Sequence, residues 1–225
     1  GASCEFLDKK FYCITGPSGC GKSTLLSLLG TIDKYESGSI LLDGNDIFED
    51  ESTYRKKRVG FVFQDYNLIN YLDGFENIAL AMEIAGNKKD ENRIYGALSV
   101  VGIDKETAKR KANRLSGGEK QRISIARAIM KDAPIVILDE ATANVDPESE
   151  KDLMAAIKAL TKEKTIIMIA HRLKTVRHAD QIVVVDKGRI VQRGNHDQLM
   201  KEDGIYKRFV DARKQAVSWK IEGSL

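Results

Sequence analysis

Residues 11–26 read FYCITGPSGCGKSTLL: a β-branched and aromatic run, a glycine-rich turn ending in Lys-Ser, and the start of an apolar helical pattern. Gly16 to Ser23 satisfy G-x-x-x-x-G-K-[ST], and they lie between a strand pattern and a helix pattern, the context in which that motif is a phosphate loop. The glycines let backbone N–H groups wind around a polyphosphate, and the following helix adds the partial positive charge of its N-terminus. The cradle expected here consists of Gly16, Pro17, Ser18, Gly19, Cys20, Gly21, Lys22, Ser23 and Thr24. Lys22 would reach the β- and γ-phosphates, and the Ser23 hydroxyl would ligate Mg²⁺.

Working outward, short β-branched or aromatic runs recur at KFYCIT (10–15), RVGFVFQ (58–64), PIVILDE (134–140), KTIIMIAH (164–171) and QIVVVDKGRIVQRG (181–194). The last is split by Asp186-Lys187-Gly188, which reads as a hairpin turn. Helical patterns lie between them at 22–30, 118–131 and 147–163. Strands alternating with helices predict an α/β fold, a P-loop core around a mostly parallel central sheet. GSILLDGNDI (38–47) reads as a small peripheral antiparallel hairpin. From Asp65 to Arg114 the patterns FENIALAMEIAG, KDENRIYGALSVVG and KETAKRKAN follow one another without a strand, predicting an inserted α-helical subdomain.

At 225 residues, with 42% hydrophobic and 31% charged residues, the chain suits one compact body. A net charge of +3 is too small to imply nucleic acid as a partner. The three cysteines, Cys4, Cys13 and Cys20, have no metal-ligand spacing and fit a reducing compartment. Apolar runs such as IVIL and IVVV are strand-sized, well below the roughly 18 residues of a membrane helix, and no signal peptide is visible.

Kinases, GTPases and ATPases share the phosphate loop, so a second feature must choose among them. IVILDE describes a buried strand that delivers Asp139 toward a metal and Glu140 beside the γ-phosphate, where it can deprotonate an attacking water. That pair favours hydrolysis over phosphotransfer. LSGGEKQRISIARAIM (115–130) then places Ser116, Gly117 and Gly118 at another helix N-terminus, a second anion site in a chain that already has one.

These residues resemble the ATP-binding cassette family, from about residue 10 to about residue 210. The resemblance implies a single cassette ATPase domain over 1–225, with its α/β core at about 10–64 and 115–210, the helical subdomain at about 65–114 and a tail at about 211–225. It implies ATP and Mg²⁺ as cofactors. Lys22, Glu140 and His171 would be the catalytic residues, with His171 at the γ-phosphate; Ser23, Gln64 and Asp139 would serve the metal. Ser116, Gly117 and Gly118 would close over the nucleotide of a second cassette in a head-to-tail homo- or heterodimer, with Asp146 in the loop that crosses the interface. A transmembrane transporter subunit or domain is the further partner implied, contacted around Gln64 and the helical insert, at the cytoplasmic face of a membrane.

The chain departs from the family pattern in three ways. Glu119 stands where the signature has Gln, with little loss expected because the contacts come from Ser116 and the glycine backbone. RVGFVFQDYNLI with ENIALAMEIAG looks like cassettes serving separate membrane subunits, whereas ATANVDPESE with IAHRLKTVRHADQIVVVDKGRIVQRGNHDQLM looks like cassettes fused to exporter membrane domains. Finally, the hairpin and adenine-stacking aromatic that the family places upstream of the loop are not found: only Phe6, Phe11 and Tyr12 are nearby, and the last two read as strand core. The alternatives are a truncated or recombined cassette scaffold that binds nucleotide poorly, and a non-transport cassette ATPase. DNA-repair members interpose a long coiled coil that does not fit between Gln64 and Ser116, and ribosome-acting members carry two cassettes. Because a stacking platform is worth roughly 1–3 kcal/mol per base, comparable affinities for ATP and GTP are expected; a strong preference for ATP in a nucleotide titration would refute this.

Overall fold

In the computed structural model, residues 2–139, 157, 163–170 and 173–222 are described. Strand β1 (Phe11–Thr15) leads through the glycine-rich loop into α1 (Lys22–Leu29). A two-residue hairpin, β2 (Leu41–Leu42) and β3 (Asn45–Asp46), is followed by α2 (Glu51–Thr53), a π turn over Tyr54–Arg58 and β4 (Val59–Val62). Helices α3 (Gly74–Ile84), α4 (Glu91–Val100) and α5 (Lys105–Ala108) precede the long α6 (Gly117–Lys131) and β5 (Ile135–Leu138). The chain continues through β6 (Thr165–Ile169), α7 (Leu173–Arg177), β7 (Gln181–Asp186), β8 (Arg189–Gly194), α8 (His196–Lys201) and α9 (Ile205–Glu222).

The main sheet runs β4-β5-β6-β1-β7-β8, parallel except for β8 at its edge. Its inner strands are apolar throughout because both faces are covered, as parallel sheets require. Period-two alternation divides them between two cores. Cys13, Val136, Leu138, Ile166, Met168, Ile182 and Val184 face the cluster that includes α3, α4 and α6 residues. Tyr12, Ile14, Ile137, Ile167, Ile169, Val183 and Val185 face Leu26 of α1 and Tyr54. Strand β8 alternates exposed with half-buried positions, as an edge strand covered on one side does. Between β7 and β8, Lys187 (φ 47°) and Gly188 (φ 71°) both take the left-handed conformation of a two-residue primed turn.

The expected helical segment over 105–113 is shorter in the structure. Helix α5 ends at Ala108, and a single 3₁₀ turn follows at Ala112–Arg114. The chain is drawn out of the helix by an antiparallel bridge between Asp73 and Lys111 and by the Ala112 amide, which donates to Leu72 O at 3.0 Å. The segment at 51–58, unassigned from the sequence, is helical, with Asp50 capping Thr53 N at 3.0 Å. The segment read as a tail from 211 continues in helix to Glu222. The helix expected over 147–163 lies outside the described residues apart from buried, helical Ile157 and the turn residue Glu163.

Asn77, 3% exposed, organises the entry to α3. Its side chain accepts from Ile69 N at 2.7 Å and donates to Asp73 O at 2.9 Å and Ile69 O at 3.2 Å. Removing it strands buried backbone groups, each costing about 1–3 kcal/mol. Asn77→Ala is therefore expected to lower unfolding free energy by about 2–4 kcal/mol, read from the denaturant midpoint; a change under about 0.5 kcal/mol would contradict this role.

Candidate functional site

The carboxyl ends of the parallel strands bring the loop and the acidic strand together. Strand β1 delivers the glycine-rich loop from the middle of the sheet. Val62 of β4 pairs with Leu138 of β5, and Asp139 N donates to Val62 O at 2.9 Å. Gln64 and Asp139 therefore leave the sheet at the same edge, each just past its strand, Gln64 exposed and Asp139 half-buried. Ala170 N donates to Ile14 O at 3.3 Å, so the chain leaving β6 toward position 171 passes beside the start of the phosphate loop. Glu140, Asp146 and His171 themselves lie outside the described residues.

The loop is built to be occupied. Lys22 is only 7% exposed, and its ammonium donates to Pro17 O at 2.8 Å and Gly16 O at 3.1 Å, closing the loop around its own side chain. Gly16 (φ 150°) has no room for a side chain: a Cβ would sit 2.0 Å from Val185 O. Cys20 is buried in the core, which leaves its backbone to serve the loop; Cys20 O accepts from Gly188 N at 2.9 Å, tying the loop to the β7–β8 turn. Pro17, Ser18 and Gly19 are exposed, as are Ser23 and Thr24 in the first turn of α1.

Gly21 (φ 103°) occupies the N-cap of α1, and no side chain caps that helix. By contrast, Asp50, Asp73, Asp90, Asp104, Ser116 and Asn195 each cap a helix with a side-chain oxygen. The first amides of α1 are thus left for an external acceptor, which fits a phosphate. The metal-serving set offers a hydroxyl (Ser23), an amide oxygen (Gln64) and a carboxylate (Asp139), all hard oxygen donors, so the residues present fit Mg²⁺.

The residues of the second predicted anion site lie at the start of α6. Ser116 and Gly117 are exposed and Gly118 half-buried at the start of α6. Ser116 Oγ accepts from Glu119 N at 3.3 Å, and Glu119 Oε2 accepts from Ser116 N at 2.7 Å, a reciprocal capping box.

A connection invisible in the sequence joins this helix to the segment after Gln64. Tyr66 (φ 63°) and Asn67 (φ 47°) are consecutive non-glycine residues in the left-handed region, a costly conformation that needs support. Arg127 of α6 supplies it, donating to Tyr66 O at 2.8 Å and Asn67 O at 2.5 Å, while Ser124 Oγ donates to Tyr66 O at 3.2 Å. Burial pushes the Arg127 guanidinium below its ordinary pKa. At the far end of α6, Lys131 donates to Arg55 O at 2.6 Å. Near its start, a Cβ on Gly117 would meet the Tyr66 hydroxyl at 3.1 Å.

Of the aromatics beside the loop, Tyr12 is 2% exposed in one core and Phe11 packs against the other, both in strand β1 as expected from the sequence. Phe6 meets Tyr12 edge-on with centroids 4.9 Å apart.

A mostly parallel α/β sheet with a glycine-rich phosphate loop at its centre has the fold of a P-loop nucleoside triphosphatase. The family model described as ABC transporter matches residues 1–143. Over 204 residues and 88% of its length, the chain is 43% identical to the mycobactin import ATP-binding/permease protein IrtA of Mycolicibacterium thermoresistibile, of which it covers 22%. It matches a bacterial Atm1-family ABC exporter solved with ATP bound at a TM-score of 0.86 and 33% identity, over 95% of this chain and 38% of that one. It also matches the dimeric cassette MJ0796, solved post-hydrolysis with ADP and Pi, at a TM-score of 0.79 and 28% identity, over 86% of this chain and 88% of that one. The chain belongs to the ABC transporter family. It spans from 22% to 35% of the length of the curated relatives it matches.

Arg127→Ala releases the strained carbonyls of 66 and 67 without touching the phosphate loop. The expected outcome is ATP affinity within about threefold of the unaltered chain and a fall in turnover of about tenfold, roughly 1.4 kcal/mol of lost transition-state stabilisation. Equilibrium binding and steady-state hydrolysis measured side by side check it; parallel loss of both would place Arg127 in folding alone.

Proposed function

We propose that the chain is the motor of a membrane transporter, of the export type, working at the cytoplasmic face through a transmembrane partner. Two cassettes, identical or different, close head to tail on ATP and part after hydrolysis. Lys22 and the loop amides hold the phosphates, and Ser23, Gln64 and Asp139 serve Mg²⁺, which supplies charge neutralisation and alignment of the scissile phosphoryl group. Glu140 takes the proton of the attacking water, and His171 holds that water's geometry. Ser116, Gly117 and Gly118 complete the site of the partner cassette, with Asp146 in the crossing loop. The helices between 65 and 114 form the subdomain that meets the membrane partner.

The observation that supports this reading is a pair of helix N-termini in one chain: α1, left uncapped behind the loop, and α6, capped by Ser116 yet exposed at Ser116 and Gly117. A single nucleotide needs the first; the second is explained by a nucleotide on another copy. The likeness to an ATP-bound exporter and to a dimeric cassette supports the same arrangement. Among the described residues no helix is long and apolar enough to cross a membrane, so the transport path would lie in other polypeptide.

Glu140→Gln keeps the shape of the side chain and removes its basicity. It should abolish more than about 99% of hydrolysis, in line with the two to four powers of ten that general-base catalysis contributes. In ATP and Mg²⁺ it should accumulate as a dimer by light scattering; only monomers at saturating ATP would sink the dimer mechanism.

A further inference from the structure

Position 119 carries a carboxylate where the family signature has a neutral amide, and the structure shows what surrounds it. Glu119 Oε2 accepts the Ser116 amide at 2.7 Å, so the charge sits within the first turn of α6, beside the exposed Ser116 and Gly117. Arg110, arriving from the end of α5, lays a fork across that carboxylate: Nη1 lies 3.3 Å from Oε1 and Nη2 3.2 Å from Oε2. The same Nη2 donates to Arg114 O at 2.9 Å, which fixes the guanidinium against the segment leading into the signature. Glu119 is the more enclosed partner, its side chain 18% exposed against 43% for Arg110. Burial alone would raise the Glu119 pKa; the hydrogen bonds from Ser116 and the charges of Arg110 and Arg122 outweigh it and hold the group ionised, below the usual carboxylate range.

An ionised carboxylate improves the cap of a helix N-terminus but works against a second anion arriving at the same place. A glutamine at 119 could cap Ser116 through its amide oxygen without that conflict. In this chain the conflict is met by a cation held against the carboxylate by both of its arms, a fork geometry specific to arginine.

We propose that Arg110 is a positioning residue of the signature loop: it neutralises Glu119, so that the carboxylate keeps capping Ser116 without repelling the γ-phosphate presented by the partner cassette. This rests on the head-to-tail dimer proposed above. It makes the two residues interdependent. Loss of Arg110 exposes the partner's phosphate to an uncompensated negative charge, whereas loss of the Glu119 charge removes the need for Arg110 and frees its guanidinium to attract phosphate.

The test uses the 225-residue chain carrying Glu140→Gln, with Arg110→Gln, Arg110→Lys, Glu119→Gln and the double change Arg110→Gln/Glu119→Gln added to it. The readout is the ATP concentration at half-maximal dimer by sedimentation velocity in Mg²⁺, with circular dichroism and thermal midpoint as folding controls. Arg110→Gln is expected to raise that concentration about tenfold, the order of effect of an unpaired like charge at an interface. Glu119→Gln lowers it, Arg110→Lys, which keeps the charge without the fork, recovers only part of the loss, and the double change returns it to within about threefold of the parent. Rescue of Arg110→Gln by Glu119→Gln is the decisive result, since a merely structural tie to Arg114 O would stay broken in the double variant. The proposal is overturned if Arg110→Gln leaves the ATP requirement unchanged, or if the double variant is as impaired as Arg110→Gln. A parent that stays monomeric at saturating ATP overturns the dimer reading and this role with it, and does so before any change at 110 or 119.

Discussion

The Lys22 ammonium, drawn down onto the carbonyls of Gly16 and Pro17, is the interaction around which the rest is arranged. A nearly buried cation is tolerable only where polar atoms surround it, so the loop must curl back over its own lysine, and that curl requires left-handed glycines. It also requires a wall. Val185 O fills the space in which Gly16 would carry a side chain, and the β7–β8 turn clasps Cys20 O. The central strand, the turn at the edge strand and the first helix are thus tied to one another by the loop's own contacts, as a preorganised electrostatic site demands.

The helices α1 and α6 begin in different ways. Helix α1 begins on glycine and keeps its amides uncapped; α6 begins on Ser116 and is closed by a reciprocal box with Glu119. The first end follows a loop that is closed by its own lysine and by the β7–β8 turn. The second has no such loop behind it, and the capping box gives it a defined shape of its own. Its donors remain accessible because Ser116 and Gly117 face outward. One end is organised by backbone closure, the other by side-chain capping.

The sheet was legible from sequence because its signal is local. Residues such as IVIL and TIIMI are apolar at every position only when both faces are buried, and each run appears as a strand within a residue or two of the expected limits. The phosphate loop was legible because its chemistry dictates spacing. What stayed hidden depends on contacts between distant segments. Nothing near Lys109 in the sequence ends a helix; the bridge from Lys111 to Asp73 does. Asn67 is of a type that tolerates left-handed backbone, but Tyr66 gives no cue to it, and the support for both comes from Arg127, some sixty positions away. The pairing of Arg110 with Glu119 likewise joins segments that only the fold sets side by side.

Helix α6 has a fixed contact at each stage of its length: Arg110 and the capping box at its start, the carbonyls of Tyr66 and Asn67 in its second half, and the backbone of Arg55 at its last residue. Fifteen residues of α-helix make a rod about 22 Å long. Treated as a stiff beam pivoting near its far end, a tilt of about 10° would carry the signature through roughly 4 Å, by the same rise per residue. That is more than a hydrogen-bond length, so a small rotation would make or break contact with a neighbouring phosphate. Gain of this kind needs no flexible joint within the helix, and the contacts with Arg110, Tyr66 and Asn67 are what resist it.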